Sequence, residues 1–234
     1  MTVRAEPPPR RRIYLVRHAE VSYFDAQGQP LDPRQVPLTE RGRQQAASAG
    51  SLLADIRFDL AVCSGLPRTE ETARQILNGR DLPLHADPRL QEIRGGRLRE
   101  IPREARERTI AYAYDGAEQP GARFIGGEPW SEFAVRVNQA WEQLITRDDW
   151  QHLLIVAHDA VNRVLLGQII GCGLGGLKGF EQDPACINII EADIAAATIE
   201  RAFIRTLNLT AYDLIRPGQQ LTVMEKVWRD YRSS

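Results

Sequence analysis

The 234-residue chain is 43% hydrophobic and 26% charged, with a net charge of −1. A chain of this length forms one large domain, or one domain with an insertion, and its composition excludes global disorder. The near-zero charge argues against a nucleic-acid-binding surface, and no apolar run reaches the roughly 18 residues of a membrane span.

Residues 1–12, MTVRAEPPPRRR, are basic and proline-rich and lack the apolar middle of a signal peptide. They are expected to be a flexible tail, with polyproline II character at Pro7-Pro8-Pro9. A single domain is expected over 13–234. Ile13-Tyr14-Leu15-Val16 is apolar on both faces, as a buried parallel strand is, and runs straight into Arg17-His18-Ala19-Glu20. Ligands of open α/β sheets lie beyond the carboxyl ends of the strands. Arg17 and His18 therefore stand where chemistry is usually placed.

Residues 21–36 show no period and read as a loop over that strand tip. Thr39 is a plausible N-cap for a helix whose stripe is Ala46, Ala47, Leu52 and Leu53. Residues 58–63 (FDLAVC) read as a second strand, followed by a helix to about Leu77 with Pro67 in its first turn. Arg68 then lies near a helix N-terminus, whose free N–H groups favour an anion. Residues 81–90 suggest a short strand and turn, with Glu92 just after it. Residues 93–126 read as a mostly helical, lid-like insertion over the site.

Trp130 opens a helix carrying Phe133, Val137, Trp141, Leu144 and Ile145 at helical spacing. Residues 151–157 (QHLLIVA) form another buried strand, and it too ends in a histidine, His158, before a further helix. Residues 185–191 and 198–207 suggest an antiparallel hairpin around Ala195, and 220–231 a terminal amphipathic helix. Cys63, Cys172 and Cys186 are scattered and odd in number, which suits reduced, buried thiols in a cytoplasmic protein.

Strand ends thus carry Arg17, His18, Arg68 and His158. Two guanidinium groups and two imidazoles around one point suit a phosphate, since arginine forks match its oxygens bidentately. Neighbouring cations also disfavour protonation of His18, leaving a lone pair able to attack phosphorus. Glu92, held protonated by burial or a second anion, can give a proton to the leaving alkoxide.

The motifs LVRHAE (15–20), PLTERGRQQA (37–46), CSGLPRTEETA (63–73), LQEI (90–93), GGEPW (126–130) with Arg136 after it, IVAHDAVNRVLL (155–166) and LNLTAYDL (207–214) follow one another in order. In this set and order the chain resembles the histidine phosphatases, the phosphoglycerate-mutase-like superfamily, over roughly residues 13–214. The resemblance implies a three-layer α/β/α sandwich with a mostly parallel sheet and no metal or organic cofactor. It implies His18 as the phosphorylated nucleophile, with Arg17, Arg68 and His158 holding the phosphoryl group and Glu92 as acid and base. The implied partner is a small phosphorylated substrate, while charge and hydropathy speak for no nucleic acid and no membrane. The terminal helix with Val223, Val227 and Trp228 is expected to pack on its own domain, with a homodimer contact as the alternative.

The chain departs from the family pattern at Ala19, Val21 and Phe24, and at Arg97-Leu98-Arg99-Glu100, where a tryptophan-bearing stretch is usual. These departures favour a phosphomonoester hydrolase over a mutase, which must shield its phosphohistidine from water. Mutase-type isomerisation and a weakly catalytic phospho-ligand sensor are the alternatives. A metal site is the rival use of His18 and His158, but no HExxH spacing occurs and the flanking arginines repel a cation. The arginines of 94–108 read as a solvated face balanced by Glu100, Glu104 and Glu107, with Arg94 or Arg97 reaching a second substrate anion as the alternative. Tyr112, Tyr114, Phe124 and Trp130 suit either a lid core or an apolar leaving-group pocket.

Overall fold

The computed structural model describes residues 10–25, 27, 29, 31–215 and 220–233. Strands β1 (Arg10–Arg17), β2 (Leu60–Cys63), β3 (Leu84–Ala86), β4 (His152–Ala157), β5 (Ile187–Ala195) and β6 (Thr198–Leu209) form one sheet in the order β3-β2-β4-β1-β5-β6. The first four strands of that order pair in parallel, and β5 and β6 extend the sheet antiparallel. Helices are α1 (Glu40–Leu52), α2 (Pro67–Leu77), α3 (Arg106–Ala111), α4 (Trp130–Ile145), α5 (Asp159–Ile169) and α6 (Val223–Ser233). No single helix among the described residues is long and apolar enough to cross a membrane.

Strand periodicity divides the core in two. Tyr14, Val16, Leu154 and Val156 meet Ala49 of α1, Leu53 just after it, and Ala73 and Ile76 of α2 on one face. Ile13, Leu15, Leu153 and Ile155 meet Phe133, Val137 and Trp141 of α4 and Val161 and Leu165 of α5 on the other. Both faces of β1 and β4 are therefore covered, which is why these strands read as unbroken apolar runs. The result is the three-layer arrangement expected. Local signals hold where they are strongest: Thr39 caps α1 by accepting the Gly42 N–H at 2.9 Å, and Pro67 opens α2. Gly42 also lets α1 approach the first strand's exit, since a Cβ there would lie 2.2 Å from the Glu20 carbonyl oxygen.

Two expectations need correction. Residues 10–12 are not tail: they are the first residues of β1, in register with β5 as Arg10↔Asp193 and Arg12↔Glu191. Directly opposed charges of opposite sign hold them there, with Arg10 Nε donating to Asp193 Oδ1 at 2.7 Å and Arg12 paired with Glu191. Residues 1–9 lie outside the described residues. The stretch 93–126 is not mostly helical either. It holds one short α-helix, α3, and 3₁₀ turns at Leu98–Glu100, Arg103–Ala105 and Phe124–Gly126. Gly95, Gly96, Pro102, Gly116, Pro120 and Gly121 interrupt any longer helix.

The β5–β6 hairpin turns through Ala196 and Ala197, both exposed and both at positive φ (47° and 60°). Two left-handed central residues are the hairpin geometry that Asn-Gly fits and alanine does not. Replacing the pair (Ala196→Asn with Ala197→Gly) should stabilise the protein by about 1 kcal/mol. The urea-unfolding midpoint should rise with the slope unchanged.

Candidate active site

The register of β1 on β4 builds the site. Arg17 lies opposite Ala157, so each strand's next residue is a histidine at the same height. The His18 backbone N–H donates to the Ala157 carbonyl at 2.9 Å. The two rings sit 5.1 Å apart between centroids, at 65° to each other. Both are buried, at 4% and 0% exposure for His18 and His158.

Hydrogen bonding fixes the tautomers. His18 Nδ1 lies 2.8 Å from the Ala19 carbonyl, which only accepts, so Nδ1 carries the proton and Nε2 the lone pair. His18 is held well below the usual imidazole pKa by burial first, then by Arg68 and Arg17. Thr69 spends its hydroxyl proton on the Leu66 carbonyl at 2.8 Å, so Ser64 Oγ donates to Thr69 Oγ1 at 2.9 Å. Ser64 Oγ is then free to accept from His158 Nε2 at 2.8 Å. His158 Nδ1 is buried with no hydrogen-bond partner among the described residues. Burial, His18 and the arginines hold His158 neutral as well.

Arg17 donates to the Gln182 carbonyl, and its guanidinium lies 3.9 Å from Asp159 Oδ2. Arg68, second residue of α2, is buried and donates to the Pro33 carbonyl at 2.6 Å, in the loop expected over the strand tip. Glu92 Oε1 accepts its neighbour Ile93 N–H at 3.0 Å, and Oε2 accepts the Ala160 N–H at the start of α5 at 3.3 Å. Burial, then the Asp159 charge, push the Glu92 carboxyl up to about 7. The structure thus brings together all five side chains singled out in the sequence: Arg17, His18, Arg68, Glu92 and His158.

A cavity of about 580 Å³ opens beside them, walled at its polar end by Arg17, Arg68, Glu92 and Asp159. The imidazoles themselves are buried and do not form its wall. Arg94 and Arg136 also line it; Arg97 does not, and pairs with Glu100 at 3.6 Å. Tyr114 and Phe124 line the cavity, whereas Trp130 is core and Tyr112 is 54% exposed. No group of three or more His, Cys, Asp or Glu side chains among the described residues is placed to hold a metal ion.

Sequence reasoning gave no role to Ser64, Asp159 or the Glu128–Arg136 pair. Asp159 is 3% exposed, accepts from Arg163 Nε at 2.6 Å and leaves Oδ2 buried without a hydrogen bond. Its signal was present: an acid directly after His158, four residues before an arginine on the same helix. Arg136 donates to the carbonyls of Arg89, Gln91 and Glu92, at 2.7, 2.7 and 3.2 Å, and to Glu128, so it moulds the loop that carries Glu92. Such multiple backbone contacts leave no trace in spacing.

The family profile described as "Histidine phosphatase superfamily (branch 1)" matches residues 13–204. The adenosylcobalamin/alpha-ribazole phosphatase of Escherichia coli is 31% identical over 193 residues, covering 80% of this chain and 93% of that protein. A probable phosphoglycerate mutase of Erwinia tasmaniensis is 34% identical over 167 residues, covering 68% of this chain and 75% of that protein. The crystal structure of the alpha-ribazole phosphatase from Shigella flexneri superposes with a TM-score of 0.67 at 32% identity, over 84% of this chain and 96% of that one.

Asp159 and Glu92 are like charges in one buried place, so removing the first should ease ionisation of the second. In Asp159→Asn the Glu92 titration midpoint should fall below its value of about 7, followed by carbon NMR of the side-chain carboxyl. A midpoint that holds or rises would remove Asp159 from that role.

Proposed function

The chain belongs to the histidine phosphatase superfamily, branch 1, and is a phosphatase of that family; from that premise we propose that it hydrolyses a small phosphomonoester through a phosphohistidine on His18. The observation that carries this reading is the His18 ring. It is neutral, its Nδ1 proton is committed to the Ala19 carbonyl, and its Nε2 lone pair sits among Arg17, Arg68 and His158.

In the first step His18 Nε2 forms a bond to phosphorus as the ester P–O bond breaks. The leaving alkoxide takes the Glu92 proton and departs as the alcohol. Arg17 and Arg68 meet charge on the equatorial oxygens, and His158 joins them when a substrate entering as its monoanion leaves its proton on the otherwise unpartnered Nδ1. In the second step water attacks the phosphohistidine, its proton passes to the Glu92 carboxylate, and the N–P bond breaks to return neutral His18 and inorganic phosphate. A carboxyl with a pKa of about 7 serves both steps near neutral pH.

Hydrolysis is favoured over isomerisation by the alpha-ribazole phosphatases, which are matched over nearly their whole length. The Erwinia protein named as a probable phosphoglycerate mutase keeps transfer within one substrate as the second reading. A cytoplasmic location is part of the proposal and rests on thiol chemistry: Cys63, Cys172 and Cys186 are all unpaired, Cys63 and Cys186 buried as expected and Cys172 exposed, contrary to expectation.

A screen of phosphorylated metabolites, read by inorganic phosphate release and by chromatography for isomerised esters, separates the two readings. His18→Ala should abolish both turnover and the acid-labile phosphoprotein trapped by rapid quench; wild-type turnover in that variant would sink the proposal. Single-turnover phosphorylation of His18 should slow as pH rises through about 7, because the Glu92 proton is lost there. Glu92→Gln should remove that limb and slow transfer from an alkyl phosphate by roughly 10²- to 10⁴-fold.

A further inference from the structure

The cavity is far larger than a phosphate, and its outer half is built differently from its floor. At about 580 Å³ it falls within the roughly 300–1,000 Å³ of clefts that enclose a small organic ligand. Besides its charged residues the cavity is lined by Phe124 and Ile125 and by Val223, Met224 and Val227 of α6, while Tyr114 lies nearer the floor, where it feels the Asp159 and Arg17 charges. The α6 residues lie beyond the stretch 13–204 matched by the family profile, yet they face the same cavity as Glu92.

Both stretches are held in place. Thr222 and Glu225 form a reciprocal cap at the start of α6: the Thr222 N–H donates to Glu225 Oε2 at 2.7 Å, and the Glu225 N–H donates to Thr222 Oγ1 at 3.2 Å. Glu181 Oε2 accepts the Val223 N–H at 3.0 Å, and Arg106 donates to the Tyr231 hydroxyl at 3.2 Å. Met224, Trp228 and Tyr231 tie the helix to the main core. Ile125 sits at φ 47° and ψ 45°, a left-handed conformation that a β-branched residue adopts at a cost of about 1–3 kcal/mol. Gly96 N–H donating to the Ile125 carbonyl at 3.0 Å holds it there. Gly127 permits the same close packing, because a Cβ there would lie 2.2 Å from the Arg94 carbonyl oxygen. Strain kept on a cavity wall points to a ligand contact.

We propose that this outer half is a leaving-group subsite for an apolar, ring-sized alcohol, and that Met224 and Val227 of α6 are its selectivity determinants. The inference rests on the phosphatase reading and names the substrate class for it: a phosphomonoester whose alcohol carries an apolar ring rather than a second anion. Two exposed arginines line the cavity: Glu128 engages Arg94 at 3.5 Å, and Arg34 directly follows Pro33, whose carbonyl accepts from Arg68, so it belongs to the phosphate end rather than to the apolar half.

The test compares 2-phenylethyl phosphate with ethyl phosphate, two primary alkyl esters of similar intrinsic reactivity, and with 3-phosphoglycerate. The wild-type protein should favour phenylethyl over ethyl phosphate by about tenfold or more in kcat/KM. Val227→Asp, at a position already 41% exposed, should cut that ratio at least about threefold, and Met224→Ala should lower it too. Asp230→Asn, on the exposed side of α6, should leave the ratio alone. A wild-type ratio near one, a ratio unmoved in Val227→Asp, or a preference for 3-phosphoglycerate would overturn the subsite. Calorimetric binding of 2-phenylethylphosphonate against ethylphosphonate separates the two readings. Tighter binding of the first without hydrolysis of any ester would sink the phosphatase reading alone, while hydrolysis with equal binding would sink the subsite alone.

Discussion

Everything in the site depends on the pairing of β1 with β4. A parallel ladder that sets Arg17 against Ala157 delivers two histidines to one point at the ends of two buried strands. Side chains alternate along a strand, so a slip of one residue would turn one imidazole to the opposite layer. The slip is forbidden by the core itself. Ile13, Leu15, Leu153 and Ile155 belong to one apolar layer and Tyr14, Val16, Leu154 and Val156 to the other, and every one of them is buried. Stability and catalytic geometry are therefore the same constraint.

Burial then decides the charge states. Two guanidinium groups so close to two imidazoles make protonation of either ring costly, and desolvation adds to it. The buried cations are not left bare. Arg17 lies against Asp159 and Arg163 is bonded to it, while carbonyls of Gln182 and Pro33 accept from Arg17 and Arg68. A buried charge is tolerated on such terms. Asp159 has a second effect, since its charge and the dry surroundings keep the Glu92 proton on to near neutrality. One acid thus acts on both Arg17 and Glu92, the two groups to which the proposed reaction gives the phosphate and the proton.

The remaining elements give this common core its own mouth. Arg136, reaching three backbone carbonyls at once, fixes the loop of Glu92. The segment after it is turn-rich and closes on the cavity through Tyr114, Phe124 and the strained Ile125. α6 comes from the far end of the chain and supplies part of the apolar lining. The polar floor is made by strand ends and the apolar rim by turns of the 93–126 segment and by α6, so phosphate binding and leaving-group choice rest on separate parts of the chain.

How much could be read without coordinates follows from how local each signal is. The apolar runs ending in Arg17-His18 and His158, the Thr39 cap, Pro67 at a helix start and the hairpin near Ala195 are patterns of a few adjacent residues. They located β1, β4, the β5–β6 hairpin and four of the five chemical side chains, and the short strand read at 81–90 placed Glu92. Arg10 and Arg12 looked like tail because a run of arginines has no partner in its own stretch; their carboxylates are on β5, about 180 residues away. The segment 93–126 looked helical from its charge pattern, yet glycine and proline divide it and distant contacts shape what is left. The Ser64 relay, the double duty of Asp159, the carbonyl grip of Arg136 and the placing of α6 at the cavity are all long-range contacts. Sequence by itself determined which groups could do the chemistry and which strands would carry them, because alternation and capping act between neighbours. Only the tertiary structure decided which proton sits on which nitrogen and what walls the leaving group meets, because those follow from atoms brought together through folding.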